Sequence, residues 1–513
     1  MVENRAIRSI VIIGGGTAGW LAANHLGKKL SNTEISIRLI ESKNIPTIGV
    51  GEGTVPEMRN TLMYFGIRET DFMQKCHATF KQSIKFVDWV DSGNNDYYHH
   101  VFDPPRTRFN DLSAYWIKKE VKKTTYANAI SAQSHLCDDF KAPKLITTPE
   151  FDGGANYAYH LDAAKFSMML KENATKKYGV IHIEDEVLEA CLNSLGYIDS
   201  VRLMSGSDIE ADFFVDCSGF SSLLVGDALK VPFIDKGKYL FVDTALTVQV
   251  PYENLACEVP PYTISTAKKN GWIWDIGLTN RKGIGYVYSS KYTDDSQAEE
   301  TLRKYLGPES NIDGARKIPM KIGYREKFWE KNCVAIGLSA GFVEPLEATG
   351  LLAFDVSSRL LAEKIPTHFN DLDKIEKQYN KYVKYIWDRI IDFVKLHYFI
   401  SRRRDSQFWL DNVSEDSAPD TLKERLDLWK RAVPTTFDFF SRFDVFNLDN
   451  YLYVLYGMKH LPELDDIRLK YCDDELAEAE FSRIRKESQS LNERLPGHRE
   501  LLDKINKYGF QVC

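Results

Sequence analysis

Three glycines near the start of the chain have the spacing of a phosphate-binding turn. Gly14, Gly16 and Gly19 form G-x-G-x-x-G between an apolar run at 8–13 and a segment with helical spacing. The first glycine permits the tight bend, the second admits a pyrophosphate, and the third lets helix and strand pack closely. Glu41 ends the next apolar run, where a carboxylate can accept hydrogen bonds from an adenosine ribose. Together these positions predict a dinucleotide site.

Later segments indicate which dinucleotide is bound. Residues 214–224 (FVDCSGFSSLL) and 334–342 (VAIGLSAGF) each look like a strand that returns to the same nucleotide site, the second through Gly337. The sequence contains no second complete G-x-G-x-x-G for NADPH. This combination favours one tightly held FAD, reduced by another protein, over NAD. The predicted cofactor-binding residues are Gly14, Gly16, Thr17, Ala18, Gly19, Glu41, Gly49, Gly51, Glu52 and Gly337.

The segment GFVEPLEATG at 341–350 is a second candidate site. Pro345 interrupts the chain, and Thr349 and Gly350 begin a helix, so free backbone N–H groups there would suit an anion. Glu344 and Glu347 flank the turn. An ordinary capping turn, in which carboxylates are favoured by the helix dipole, is an equal interpretation from the residues alone.

Other unusual residues are ambiguous on their own. The alternating glycines of TIGVGEGTVPEM at 47–58 suit a strap over a cofactor or a surface loop. Lys81 lies in a predicted strand, where a lysine usually faces solvent, and composition does not separate it from Lys85. Trp272 and Trp274 share one face of a predicted strand, as core aromatics or as part of a site.

Composition excludes several classes of protein. The 513 residues carry a net charge of −7 with no dominant basic stripe, so nucleic acid is not expected as a partner. The eight cysteines include no C-x-x-C pair, which argues against a disulfide scaffold or a zinc site. No signal peptide or membrane-spanning apolar stretch is found, and we expect a cytoplasmic protein with no bound metal.

The predicted elements describe an α/β fold. Apolar runs at 8–13 and 34–42, with a helical segment between them, form a βαβ unit that opens a doubly wound sheet. Residues 78–90 are predicted as a strand, and the chain beyond 370 is mostly helical. We therefore expect one compact unit, with an FAD-binding and catalytic α/β core at 1–370. A mainly helical subdomain at 371–513 would complete the substrate site.

Taken together, the motifs resemble the flavin-dependent tryptophan halogenase family. GGGTAG, GVGEGTVP, ATFK, DCSGFSSLL, GWIWDIGL and GFVEPLEATG occur in the order and spacing of that family, over essentially the whole chain. Ordinary flavin hydroxylases share only the first motif and the strand returns. The resemblance implies a flavin monooxygenase-like fold with a split nucleotide-binding core and a helical C-terminal substrate-side subdomain.

The resemblance also implies a reaction. Reduced FAD and O2 would form a C4a-hydroperoxide that oxidises a halide (chloride, bromide or iodide) held near Thr349 and Gly350. The hypohalous acid would pass through a tunnel to Lys81, beside Glu347, for electrophilic halogenation of an indole or other electron-rich arene. A separate flavin reductase would supply FADH2, and a homodimer is expected from the resemblance alone. The implied substrate and tunnel residues are His100, Phe102, Trp272, Trp274, Phe342 and Pro345.

The chain departs from the best-known members of the family in three ways. Their W-x-W-x-I-P is here W-x-W-x-I-G, with Gly277 at the proline position, and Ala348 stands where a serine is usual. The segment NYLYVLYGM at 450–458 has tyrosines but no match for the glutamate that grips an amino-acid head group. A zwitterion needs partners for its ammonium, so we expect indole or a larger aryl compound in place of free tryptophan.

Two other functions fit parts of the sequence. A single-component aromatic hydroxylase would need NADPH docking and has no use for the pair Lys81 and Glu347. A flavin-dependent regulatory protein without activity would tolerate loss of either residue, and both are present.

Overall fold

The computed structural model describes residues 5–44, 51–93, 96–105, 112–307, 312, 314–470 and 473–511. The β-strands of these residues are β1 Ser9–Ile13, β2 Ser36–Glu41, β3 Glu52–Gly53, β4 Thr79–Lys81, β5 Ser83–Val87, β6 Tyr97–Val101, β7 Ala158–Leu161, β8 Ile181–Glu184, β9 Val187–Leu192, β10 Ile198–Leu203, β11 Asp208–Glu210, β12 Phe213–Asp216, β13 Phe233–Asp235, β14 Thr244–Pro251, β15 Tyr262–Lys268, β16 Gly271–Gly277, β17 Arg281–Tyr288, β18 Arg316–Pro319, β19 Gly323–Arg325, β20 Trp329–Glu330, β21 Cys333–Ala335 and β22 Gly341–Phe342.

The α-helices of the same residues are α1 Thr17–Leu30, α2 Glu57–Phe65, α3 Glu69–Lys75, α4 Leu112–Tyr115, α5 Tyr126–Ile130, α6 Gln133–Asp138, α7 Ala163–Tyr178, α8 Asp295–Leu306, α9 Thr349–Lys364, α10 Leu372–Phe399, α11 Gln407–Asn412, α12 Asp420–Leu428, α13 Leu448–Gly457, α14 Asp466–Lys470, α15 Asp474–Arg494 and α16 His498–Tyr508. Among the helices described, none is both long and apolar enough to cross a membrane.

The nucleotide-binding core is a six-stranded sheet in the order β20-β21-β12-β1-β2-β8. β21, β12, β1, β2 and β8 are parallel, and only the edge strand β20 is antiparallel. The central strand β1 is buried and strongly apolar, as a parallel strand covered on both faces requires. Because its strands come from positions between 9 and 335, the core is split along the chain, which confirms the predicted fold class.

A second sheet of seven strands carries the tryptophan motif. Its order is β18-β14-β17-β16-β15-β5-β6, antiparallel except for the pair β15 and β5. Every residue of β16, the strand GWIWDIG, is buried. The strand therefore lies inside the molecule between β15 and β17, where aromatic side chains can form a wall.

The segment predicted as one strand at 78–90 is two strands in two sheets. β4 pairs with β7 in the three-stranded sheet β3-β7-β4, whereas β5 pairs with β15 and β6. The chain changes partner at Gln82, whose backbone N–H already bonds to the carbonyl of Pro261, next to β15, and whose carbonyl accepts from Phe102, next to β6. Lys81, at the end of β4, thus lies where the two sheets meet.

Helices connect these sheets. α1, which follows the glycine turn, packs against α7 and α9. The long helix α10 packs against α9, and α13 packs against β6. The main apolar cluster contains residues from Ile7 to Phe510, so the C-terminal helices share a core with the sheets.

The tryptophan wall gives a stability prediction. The Trp274 ring lies on Gly285 of β17, where an added Cβ would lie 2.1 Å from Trp274 Cζ2. Because that ring is enclosed, we expect Gly285→Ala to lower the free energy of unfolding in urea by about 1–3 kcal/mol. Gly154→Ala is the matched control, since its Cβ would meet no atom closer than 3.5 Å. Equal unfolding curves for the two variants would contradict this packing.

Candidate active site

The three glycines of the first turn face different surroundings. A Cβ on Gly14, whose φ is +109°, would lie 2.2 Å from the Cys217 carbonyl oxygen, and one on Gly19 would lie 1.9 Å from the Gly14 carbonyl oxygen. A Cβ on Gly16 would have no atom within 4 Å. Packing therefore requires the first and third glycines, while the middle one faces open space beside the start of α1, as a bound pyrophosphate needs.

The other predicted cofactor residues converge on this turn. Thr17 and Ala18 begin α1, and a Cβ on Gly337, whose φ is +84°, would lie 2.6 Å from Ala18 Cβ. Glu41 ends β2, with its side chain against Gly15 and in ion pairs with a lysine and a histidine, Lys171 and His182. Three distant parts of the chain thus meet at one place, and the residues present fit an FAD.

The predicted strap is joined to the strand of the candidate lysine. Glu52 and Gly53 form β3, which pairs with β7, the neighbour of β4. Gly51 lies against the tryptophan strand β16. A Cβ added to Gly51 would lie 3.7 Å from Ile276 Cγ2. Gly49 lies outside the described residues. The strap therefore contacts β16 and also belongs to the three-stranded sheet whose strand β4 ends at Lys81.

Lys81 is almost completely buried, with 1% of its surface exposed. Its Nζ donates to the Thr54 carbonyl at 3.1 Å and lies 5.3 Å from the centre of the Phe102 ring. A Cβ on Gly53 would approach Nζ to 3.2 Å, so glycine there leaves room for the ammonium. Burial lowers the pKa of Lys81 to about 8, opposed by the negative charge of Glu347. The solvent-facing interpretation of this lysine is wrong.

Glu347 is a buried carboxylate held by two histidines. His100 Nδ1 lies 3.0 and 3.1 Å from its two oxygens, and His397 Nε2 lies 2.8 Å from Oε1. Burial acts to raise the pKa of Glu347, but the charge and hydrogen bonds of the two histidines lower it to about 2. The carboxylate therefore stays ionised although it is removed from water.

The hydrogen bonds around the two histidines limit where their protons lie. Asn450 Oδ1 accepts from the Asn447 N–H, so its Nδ2 donates to His100 Nε2 at 3.1 Å. His100 must then carry its proton on Nδ1, toward Glu347. His397 Nδ1 faces the Phe393 carbonyl at 2.9 Å, which can only accept. His397 thus faces an acceptor at each ring nitrogen, the Phe393 carbonyl at Nδ1 and the Glu347 carboxylate at Nε2.

The tryptophans contact the other glutamate of the same loop. Trp272 Nε1 donates to Glu344 Oε2 at 2.6 Å, and Tyr398 donates to the same oxygen at 2.5 Å. The Trp272 and Trp274 ring centres are 6.2 Å apart. The two carboxylates of GFVEPLEATG therefore face different surroundings, with Glu344 at the tryptophan wall and Glu347 at the histidines.

The turn at 345–350, the candidate anion site, contains a buried hydroxyl without a hydrogen-bond partner among the described residues. Ala348 precedes α9 with φ +55° and provides no side-chain cap for the helix. Thr349 is 1% exposed, and its Oγ1 has no hydrogen-bond partner among the described residues. The turn starts at Pro345, whose carbonyl accepts from the Ala348 N–H. Phe342, upstream in β22, contacts the Phe220 ring.

Several residues of the site were not predicted from the sequence. His397 and Tyr398 are adjacent in α10 and reach separate glutamates, Asn450 lies in α13, and Thr54 directly follows β3 within the strap. The tandem of histidine and tyrosine in an apolar helix is compatible with core packing, so only the fold connects it to the loop at 341–350.

Comparisons with known proteins agree with this geometry. The family model described as tryptophan halogenase matches residues 9–474. The chain belongs to the tryptophan halogenase family. It is 36% identical to tryptophan 6-halogenase SttH of Streptomyces toxytricini, covering 96% of this chain and 97% of that protein. The crystal structure of a tryptophan halogenase from Shewanella frigidimarina NCIMB 400 superposes with a TM-score of 0.94 at 40% identity, over 99% of each chain.

A further structure of this family is Xcc4156, a flavin-dependent halogenase from Xanthomonas campestris. It matches with a TM-score of 0.89 at 31% identity, over 98% of this chain and 99% of that one. The protein is accordingly a flavin-dependent halogenase, an oxidoreductase that uses FADH2, O2 and a halide. Enzymes of this family receive reduced flavin from a separate reductase and act on an aromatic substrate.

Ionisation of Glu347 gives a pH-dependent stability prediction. Its pKa of about 2 in the folded protein lies below the ordinary value of about 4.3 expected on unfolding. The ionised form therefore stabilises the fold above about pH 4.3, and this contribution is lost as pH falls toward 2. We expect Glu347→Gln to lower the free energy of unfolding by about 3–5 kcal/mol near pH 7, with a smaller difference at pH 4.

Urea unfolding at pH 7, 5 and 4 measures this difference. The exposed Glu299→Gln is the control and should unfold like the wild type at each pH. A Glu347→Gln difference that stays constant from pH 7 to pH 4 would show that the carboxylate is not held ionised by the histidines.

Proposed function

We propose that the protein halogenates an indole or another electron-rich arene, with Lys81 directing hypohalous acid and Glu347 beside it. The observation that carries this proposal is the enclosed pair itself. A buried lysine with one carbonyl partner lies within the electrostatic influence of a carboxylate that two histidines keep ionised. A hydroxylase has no evident use for this arrangement.

The surroundings of Lys81 favour an ammonium. A pKa of about 8 leaves most of the lysine protonated near pH 7, and the charge of Glu347 favours that form. Thr54 takes one N–H, which leaves other donors for the oxygen or halogen of hypohalous acid. A hydrogen bond of this kind polarises the acid toward electrophilic halogen and restrains it from random attack.

Glu347 has two roles in the proposal. Its negative charge stabilises the cationic ring intermediate that electrophilic attack creates. It also accepts the ring proton, since such an intermediate is a far stronger acid than a carboxylic acid, so that even a weak base suffices. His100 and His397 act as positioning residues that keep the carboxylate ionised and oriented.

Other residues hold the cofactor and the halide. FAD would lie on the glycine turn, with its ribose at Glu41 and further contacts from the strap and from Gly337. When bound, reduced FAD would supply the two electrons that activate O2, and the activated oxygen would accept two more electrons from a halide to give hypohalous acid. The halide would contact Thr349 and Gly350, where a buried hydroxyl and uncapped helix N–H groups are present.

Trp272 and Trp274 separate the two reactions in this proposal. Both are buried in β16, 1% and 7% exposed, and Phe342 and Pro345 belong to the loop that contacts the same wall. A rigid wall prevents the arene from reaching the oxidising flavin directly and leaves a narrow path for a small acid.

The substrate end supports an arene without an amino-acid head group. His100 and Phe102 flank the Lys81 and Glu347 pair as aromatic contacts. In α13 the Tyr451 hydroxyl accepts from Arg425, and the Tyr453 hydroxyl donates to the Asp103 carbonyl. These tyrosines are engaged with the protein, and α13 contains no glutamate for an ammonium.

The remaining features of the proposal concern organisation. We propose a catalytic α/β core at 1–370, a helical part at 371–513 that completes the substrate site, a cytoplasmic location and a homodimer. The contacts of α10 and α13 with the site support the first two.

Loss of Lys81 tests the function. With FAD, a flavin reductase, O2 and each halide in turn, we expect the wild type to halogenate indoles, and indole more efficiently than tryptophan. Lys81→Ala should form no halogenated product yet still bind FAD and release hydrogen peroxide. Lys85→Ala, a lysine paired with Asp138 in the next strand, is the control and should keep product formation. Mass spectrometry measures the products.

Two outcomes would contradict the proposal. Wild-type yields from Lys81→Ala would refute the role of the lysine. Hydroxylated arenes with no halogenated product, for every halide and arene supplied, would instead indicate a hydroxylase.

Loss of the Thr349 hydroxyl tests the halide site. We expect Thr349→Val, which keeps the shape of the side chain, to raise the halide concentration for half-maximal rate roughly tenfold, as for a lost hydrogen bond to an anion. Thr349→Ser keeps the hydroxyl and should show a smaller change. An unchanged halide dependence in Thr349→Val would remove Thr349 from the site.

A further inference from the structure

Glu344 is a second buried carboxylate that the proposed reaction does not use. It is fully buried, and both of its hydrogen bonds, from Trp272 and Tyr398, go to Oε2. Oε1 has no partner among the described protein atoms. Both donors, the Trp272 indole and the Tyr398 hydroxyl, are neutral, and the second oxygen remains available to carry a proton.

A buried lysine lies on the same helix as the tyrosine that bonds Glu344. Lys395 is fully buried, and its Nζ donates to Asn412 Oδ1 at 2.9 Å. Asn412 Nδ2 donates to the Phe408 carbonyl, so the amide can only present its oxygen to the lysine. Lys395 has no ion pair at salt-bridge distance among the described residues, and Glu344 is the charged group that acts on it.

Lys395 and a cavity share one neighbour, the ring of Phe241. Its Nζ lies 4.8 Å from the centre of the Phe241 ring. Phe241 lines a cavity of about 640 Å³ whose other wall residues include Lys238, Asp243 and Lys291. Lys291 and Lys238 are exposed, so this cavity reaches solvent. Phe241 thus contacts both the Lys395 ammonium and the cavity.

The two glutamates of one loop have opposite tendencies to ionise. Burial raises the pKa of Glu344 to about 7, against the effects of Tyr398, Trp272 and Lys395. Burial likewise lowers the pKa of Lys395 to about 7, against the charge of Glu344. Where the surroundings of two neighbouring carboxyl groups make their pKa values differ in this way, one group serves as an anion and the other as an acid.

Halide oxidation requires such an acid. The overall change is FADH2 + O2 + X⁻ + H⁺ → FAD + HOX + H2O, in which O2 accepts the two electrons of the flavin and the two electrons that the halide gives up. One proton per turnover must therefore reach a site that the tryptophan wall and the core close to bulk water. Glu344 lies in the loop that leads to the proposed halide turn.

We propose that Glu344 and Lys395 form a proton-donating pair that supplies the proton consumed in halide oxidation. The Glu344 O–H bond breaks and its proton ends in the released water. Because the two groups form no direct ion pair, a water molecule between them then passes a proton from the Lys395 ammonium to Glu344, and a solvent proton from the cavity beside Phe241 restores the ammonium. This inference rests on the proposed halogenase function.

The groups that face the pair are few. Among the described residues, β16 contributes Trp272 as a hydrogen-bond donor to Glu344, and α10 contributes Tyr398. α11 contributes the neutral Asn412, and the segment before β14 contributes the Phe241 ring. Of these only Tyr398 is titratable, and its pKa is raised well above the usual value by burial and by Glu344. Titration near pH 7 therefore belongs to Glu344 and Lys395.

The protonation of Glu344 is measured without any cofactor. Infrared difference spectra of the flavin-free protein between pH 6 and pH 8 should contain a protonated-carboxyl band that disappears as pH rises through about 7. Glu52, a partly buried carboxyl of β3 whose pKa burial also raises to about 7, absorbs in the same region, so the part of the band that is lost in Glu344→Gln is the part assigned to Glu344. In Lys395→Met its midpoint should move to higher pH, because the charge that favours the carboxylate is gone.

A matched control is available on the same helix. Asp392 is a buried acid of α10 whose pKa burial raises to about 6, and it bonds Thr421 instead of Glu344. Asp392→Asn should leave the band at about pH 7 in place. A spectrum of Glu344→Gln identical to that of the wild type would overturn the assignment of a proton to Glu344.

The role in the reaction is measured by the yield of product per reduced flavin, with hydrogen peroxide as the remainder. The wild-type yield should fall as pH rises through about 7. Glu344→Gln should reduce the rate of product formation by about 10²-fold and remove that part of the pH dependence. At each pH, the rate of the wild type divided by the rate of Glu344→Gln isolates the effect of Glu344. Titration of Lys81 cancels in this ratio because both proteins contain it.

Each outcome decides one question. A Glu344→Gln enzyme with wild-type rate and pH profile would overturn the proton-donating role. A wild type without halogenated product would refute the proposed function, while the infrared band would still report whether Glu344 holds a proton. If Glu344→Gln does not fold, Tyr398→Phe removes one hydrogen bond that favours the carboxylate, so the band midpoint must rise, and an unmoved midpoint would overturn the proposal.

Discussion

The structure depends on one constraint: the carboxylate of Glu347 is buried away from water and must find its hydrogen bonds inside the protein. Glu347 is 2% exposed, and a buried charge is tolerated only when other groups replace the hydrogen bonds of water. Here those groups are His100 from β6 and His397 from α10, elements from opposite ends of the chain. The seven-stranded sheet and the C-terminal helices must therefore assemble before the site carries its charge.

The same constraint shapes the place of Lys81. Because His100 and His397 contact Glu347 directly, the carboxylate does not need the lysine as a hydrogen-bond partner, and Lys81 bonds a backbone carbonyl instead. Its ammonium is favoured by the field of Glu347 but is not consumed by an ion pair. A lysine locked into a tight salt bridge would have no N–H group to offer a small acid.

Prediction from sequence succeeded where one residue type is required by backbone geometry. Gly14 and Gly19 sit where any Cβ would collide with a carbonyl, so their spacing predicted the strand–turn–helix unit and the fold class that the structure contains. Lys81 and Glu347 followed only from the resemblance, because a lone lysine in a strand has no local pattern that separates it from a surface residue. His397 could not be predicted, since its partner lies 50 positions away and helical periodicity alone makes it a core residue.

Gly277 shows how a departure from the family pattern is absorbed. A Cβ at this position would lie 2.7 Å from Val259 Cγ1 and 3.0 Å from the Tyr252 hydroxyl, so these side chains occupy the space that a larger residue would need. Its carbonyl accepts from the Thr79 hydroxyl at 2.7 Å, which ties the end of the tryptophan strand to β4.

That bond also orders the surroundings of the lysine. Since Thr79 donates to Gly277, its oxygen can only accept from His160 Nδ1, at 3.3 Å, and His160 Nε2 then accepts from Thr263 at 2.8 Å. Burial lowers the pKa of His160 well below its usual value, with the charge of Lys81 acting in the same direction. The imidazole is therefore neutral and adds no second positive charge beside Lys81. The Gly277 carbonyl of the tryptophan strand thus helps to keep His160 neutral, so that Lys81 is the positive charge in this pocket.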